Sequence, residues 1–147
     1  MITKHHKNLA SFIHIGVFGK YFFPFGNFIF PLILWTVNKD KSDFIDQNGK
    51  QVLNFQLSIL LYFIAIVMLC VPFAIYFGFN IAEIENIKGE ISPFDISQFS
   101  GSLIALIFLA FSAIALLIME LVTTIIGALK ANEGEVYKYP ISIPFIK

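Results

Sequence analysis

Lys50-Gln-Val-Leu-Asn-Phe-Gln-Leu-Ser58, running into Ile59–Phe79, decides the fold. The stretch begins polar and then stays almost wholly apolar, with Tyr62, Cys70 and Pro72 the mild interruptions before Gly78. At about 1.5 Å rise per residue, residues 56–79 reach roughly 35 Å, enough to cross a hydrocarbon core of about 30 Å. A chain that must hide such a segment is expected to be a membrane protein, with the remainder packed around it.

Composition agrees. Of 147 residues 57% are hydrophobic and 14% charged, and the mean hydropathy is +0.78, whereas soluble domains carry about 25% charged residues. One integral-membrane domain over 1–147 is the expected organisation. Ten Lys balance ten acidic residues at zero net charge, so no basic field points to nucleic acid. Cys70 stands alone and forms no intramolecular disulfide. Met1–Lys7 and Leu9–Phe23 have the charge and hydropathy order of a signal peptide. Lys20-Tyr-Phe-Phe-Pro-Phe25 offers no small-x-small cleavage site, however, so the segment is expected to stay.

Outward from the deciding stretch, residues 9–37 are apolar but broken at Pro24-Phe25-Gly26-Asn27 and touched by Pro31, which argues against one straight helix. A kinked single span and a broken helical hairpin both fit that pattern. Lysines favour the hairpin. Lys39, Lys41 and Lys50 precede the long span, and Lys130, Lys138 and Lys147 follow the last one. The connection 80–101 sets Lys88 against Glu83, Glu85, Glu90 and Asp95. The positive-inside rule then places both termini in the cytoplasm and the acidic connection outside. The hairpin accommodates Lys4 and Lys7 on the cytoplasmic side; a single span does not. The fold expected is an all-α integral membrane bundle of about four helical segments. These are a broken hairpin (9–37), a surface turn with a spanning helix (44–79), an external loop (80–101), a second span (102–129) and a cytoplasmic interfacial tail (130–147). Asp43 reads as the N-cap of the first long helix, with Asp46 in its first turn, and the bacterial inner membrane as its location.

Gln47, Gln51, Asn54 and Ser58 recur at steps of four, three and four, one helical face that should look into the bundle. Asn54 and Gln56 diverge, so Gln56 is expected to snorkel or meet the hairpin. Asn27, Glu120 and Thr123 complete the polar intramembrane face; Glu120 is the one ionisable group well inside a span and must be protonated, paired or wet. Either an interhelical hydrogen bond or a polar path would satisfy it. His5, His6 and His14 show no metal spacing, and His14 reads as an interface residue. No catalytic constellation is visible, so neither an enzyme nor a cofactor is expected. The expected partners are the lipid bilayer and either a second copy or another membrane protein.

Four blocks carry a family resemblance: Phe23-Pro-Phe-Gly-Asn-Phe-Ile-Phe-Pro-Leu-Ile-Leu-Trp35, Asn38-Lys-Asp-Lys-Ser-Asp-Phe-Ile-Asp46, Asn48-Gly-Lys-Gln-Val-Leu-Asn-Phe-Gln-Leu-Ser58 and Lys130-Ala-Asn-Glu-Gly-Glu-Val-Tyr-Lys-Tyr-Pro140. Over about residues 8–147 the chain resembles the small bacterial membrane proteins of domain-of-unknown-function family 4870. These are similar to the twenty-kilodalton Tic component of the chloroplast inner-envelope import machinery. The resemblance implies about four helical segments with both ends in the cytoplasm. It settles no activity; the function expected is that of a structural or partner-binding component working by helix packing or, alternatively, of a subunit of a translocation or channel assembly resembling the plastid component. Glu120 is not part of that pattern.

Overall fold

The computed structural model describes residues 2–86 and 93–147, with side chains over 2–79 and 100–147. Among the described residues there are four α-helices: α1 (Lys4–Ile15), α2 (Gly26–Asn38), α3 (Asp43–Asn86) and α4 (Pro93–Glu133). No strand occurs among the described residues. The all-α membrane-type fold is therefore as expected, broken hairpin included. Two compact units divide the chain, Met1–Leu60 with Ile118–Lys147, and Leu61–Leu117.

The first unit holds the hairpin. Thr3 caps α1 by accepting from the His6 amide at 3.3 Å. After Ile15 the chain tightens into a 3₁₀ turn, Gly16–Tyr21, and reverses through Phe25, whose φ of 63° is left-handed. The arms run antiparallel because glycines let them close. A Cβ on Gly26 would lie 2.2 Å from the Gly19 carbonyl oxygen, and one on Gly19 2.1 Å from the Phe30 ring. Trp35 on α2 donates to Asp46 at 2.9 Å, and Gly49 gives the indole its room, since a Cβ there would stand 2.1 Å from Cδ1. Ala10 of α1, Phe44 of α3 and Ala131 of α4 form one buried cluster. Gly134 closes α4 at φ +97°, the left-handed cap in which the Glu135 amide returns to the Lys130 carbonyl at 2.9 Å. The Lys7 ammonium adds a 2.8 Å bond to the Glu133 carbonyl, a cation placed at the negative end of the helix.

Two local readings change. Ser42, not Asp43, caps α3: its hydroxyl takes the Phe44 amide at 3.2 Å. Asp46 lies in the first turn as expected, and it also serves Trp35 and Lys50. Helices also outrun their apolar lengths, because backbone hydrogen bonding continues until a breaker intervenes. α3 reaches Asn86 and α4 starts at Pro93, a residue suited to a first turn. The part of the 80–101 connection at 87–92 lies outside the described residues.

Both long helices pass through stretches apolar enough to cross a membrane, Asp43–Phe79 and Ser100–Glu133. Their most apolar windows are only 11% and 6% buried within the protein. In Leu61–Leu117, Met68, Phe79, Phe108 and Phe111 are each about two-thirds exposed or more. A continuous apolar surface of this extent is matched to lipid, not to water.

Candidate functional site

The polar groups of the first unit gather in two layers. The deeper one locks the hairpin tip. Lys20, from the 3₁₀ turn, donates to Glu120 of α4 at 2.7 Å; the carboxylate is buried, 3% exposed. Asn27, at the start of α2, donates to the Gln56 side-chain oxygen on α3 at 2.8 Å. The Gln56 amide nitrogen is buried without a hydrogen-bond partner. Glu120 thus resolves its desolvation by pairing, and the pair sits where a single buried charge would be costly.

The shallower layer clasps the C-terminal tail. Asn54 grips the backbone of one residue from both sides: its amide nitrogen donates to the Ile146 carbonyl at 3.0 Å and its oxygen accepts the Ile146 amide at 2.7 Å. Ser58 accepts the Ile143 amide at 2.8 Å and donates to the Asn54 carbonyl at 2.7 Å. Tyr139 is buried, stacked on Phe55 with centroids 4.3 Å apart, and its hydroxyl meets His14 Nδ1 at 2.7 Å. His14 Nε2 faces the Asn48 oxygen at 2.9 Å, while the Asn48 nitrogen donates to the Phe44 carbonyl. That chain of donors assigns the tautomer: Nε2 carries the proton and donates to Asn48, and Nδ1 accepts from Tyr139. Burial pushes the Tyr139 phenol upward. Gly127 leaves the space for this contact; a Cβ would lie 2.6 Å from His14 Nδ1.

The seven residues singled out by sequence do not form one face. Asn27 and Glu120 belong to the tip lock. Asn54 and Ser58 belong to the tail clasp. Thr123 returns its hydroxyl to the Met119 carbonyl at 2.7 Å. Gln51 is half-buried, and Gln47 is exposed on a pocket shared with His6, Lys41 and Val136. His14, read as an interface residue, is instead the fully buried centre of the clasp. A signal was available: Ala10, Ile13, His14 and Val17 are all buried, at the three- and four-residue steps of a helix face turned inward. The tail is likewise no simple interfacial segment, since Tyr139 is only 6% exposed.

Among the described residues, no group of three or more His, Cys, Asp or Glu is placed to hold a metal ion. An open polar pocket of about 520 Å³ at the Lys-rich end is lined by Trp35, Lys39, Asp40, Asp46, Lys50 and Lys147. Its charges are mixed, with Asp46 already bound to Lys50 and Trp35.

No curated protein and no solved structure matches the chain. A family model does, over residues 5–146, and its description is magnetosome magnetite crystal formation. This match overturns the resemblance to family 4870 and the plastid import component. It equally overturns the functions expected, both the component of unsettled activity working by helix packing and the translocation or channel subunit. The physical reason lies in what the quoted blocks do. Gly26 and Asn27 close the hairpin, Gly49 seats Trp35, Asn54 and Ser58 clasp the tail, and Gly134 ends α4. Such residues report an architecture, which unrelated activities can share. The chain is a membrane protein, and it belongs to the MamF/MmsF family, the magnetosome magnetite crystal formation family.

Proposed function

We propose that the protein works in the membrane around a growing magnetite crystal and influences how that crystal forms. The family match over residues 5–146 carries this reading. Its mode is taken to be non-catalytic, with a surface presented to the mineral and to iron ions as cargo. The finer placement follows from charge. The ends of the chain and the Lys39–Lys50 segment hold most of the lysines, which favours the cytoplasmic side. Connection 80–101, with Glu83, Glu85, Glu90 and Asp95, then faces the compartment. Carboxylate oxygens suit hard cations, so these acidic residues can gather iron and meet an oxide surface.

The experiment is magnetite precipitation from ferrous and ferric salts inside vesicles that carry the full chain in that orientation, with crystal size read by electron microscopy. Wild-type protein is expected to change the size distribution relative to empty vesicles. A variant with Glu83→Gln, Glu85→Gln and Glu90→Gln is expected to lose most of that change. Crystals identical with and without the wild-type protein would refute the function; an undiminished effect of the variant would refute the assigned surface.

A further inference from the structure

The hairpin has a depth that can be read from its anchors. Lys20 is held by Glu120, ten residues and so about 15 Å along α4 from Lys130. Asn27 is held by Gln56, six residues and so about 9 Å along α3 from Lys50. Lys50 and Lys130 mark the polar ends of the two spans. The tip therefore sits about 10–15 Å below them, close to the middle of a hydrocarbon core about 30 Å thick.

The tip is also finished for an oily environment. Its reversal closes on itself through Phe22 N–H to the Gly19 carbonyl at 3.0 Å and Gly26 N–H to the Phe23 carbonyl at 3.1 Å, as lipid immersion demands of backbone groups. Both polar side chains there, Lys20 and Asn27, turn back to the long helices. What remains outward is apolar: Phe22 is 85% exposed and Phe25 66%. Above the tip an open groove of about 390 Å³ runs along the hairpin, lined by Leu9, Phe12, Ile15, Phe18, Phe22 and Phe30. It is continuous in character with the lipid-matched surface of α3 and α4, and acyl chains are the occupant that fits.

We propose that the hairpin is a half-membrane insert that fills one leaflet to about its mid-plane and takes acyl chains into its groove. The inference needs only the membrane, not the mineral role, and its test uses no iron.

Depth is measured with a spin label on Phe22→Cys in a Cys70→Ala background, full chain, in phospholipid vesicles. Phe22 is too exposed for the label to disturb packing. Oxygen is expected to relax the label strongly and a water-soluble nickel chelate hardly at all, as for a site near the bilayer centre. A label reached by nickel from either face overturns the insert.

Discussion

Replacing His14 with glutamine tests the clasp most directly. The imidazole is fully buried and donates to Asn48 while accepting from Tyr139, an arrangement that only the neutral ring can make. A glutamine amide can stand in for Nε2 and keep the bond to Asn48, but it has no group in the place of Nδ1. The buried Tyr139 hydroxyl then loses its acceptor, at a cost of about 1–3 kcal/mol. For a chain of this length that is a fall of roughly 5 °C in Tm. In detergent micelles His14→Gln should melt lower than wild type by that amount, and a Tm equal to that of wild type would refute the role given to the His14–Tyr139 bond.

Four further outcomes are expected. Gly127→Ala should lower Tm: the methyl would stand 2.6 Å from His14 Nδ1 and 2.9 Å from the Tyr139 hydroxyl, and overpacking of about 1–3 kcal/mol exceeds the roughly 1 kcal/mol of helix propensity gained. Gly49→Ala should shift the emission of Trp35, the single tryptophan, because the indole must leave its place beside Asp46; an unchanged spectrum counts against that packing. Lys20→Met should cost about 3–5 kcal/mol by stranding a buried carboxylate, and adding Glu120→Leu should restore most of the melting temperature. Asn54→Leu removes both bonds to Ile146, roughly 1 kcal/mol each, and should let carboxypeptidase trim the tail faster than in wild type.

Much of the architecture was legible because it is written along single elements. The apolar run after Lys50, the Pro-Phe-Gly-Asn break and the lysine distribution each act within one segment, and together they point to a broken hairpin beside two long helices. The clasp was not legible in the same way. Tyr139 and His14 are 125 residues apart and Asn54 and Ile146 are 92 apart; no periodicity on either element announces its partner. Helix faces were read correctly in part, since Asn54 and Ser58 do point inward and Gln56 does meet the hairpin. Gln47 breaks that face: its side chain is exposed although Phe44, Ile45 and Asn48 beside it are buried. The Ser42 cap was missed for a local reason: Ser and Asp are adjacent and equally suited to capping, and only Asp46's engagement with Trp35 separates them.

Where the polar side chains are bound decides how the mineral assay must be interpreted. Asn27, Glu120, Asn54, Ser58 and Thr123 all have partners within the first unit. A solute path through the bilayer needs such groups free to exchange partners with the solute, whereas here they hold the hairpin tip and the tail. Substitutions at Glu120 or His14 should therefore alter crystals only as far as they lower the amount of folded protein. Substitutions of Glu83, Glu85 and Glu90 should alter crystals at unchanged melting temperature. If Glu120→Gln changed crystal size in a protein as stable as wild type, the division of labour between a structural interior and an acidic connection would be wrong.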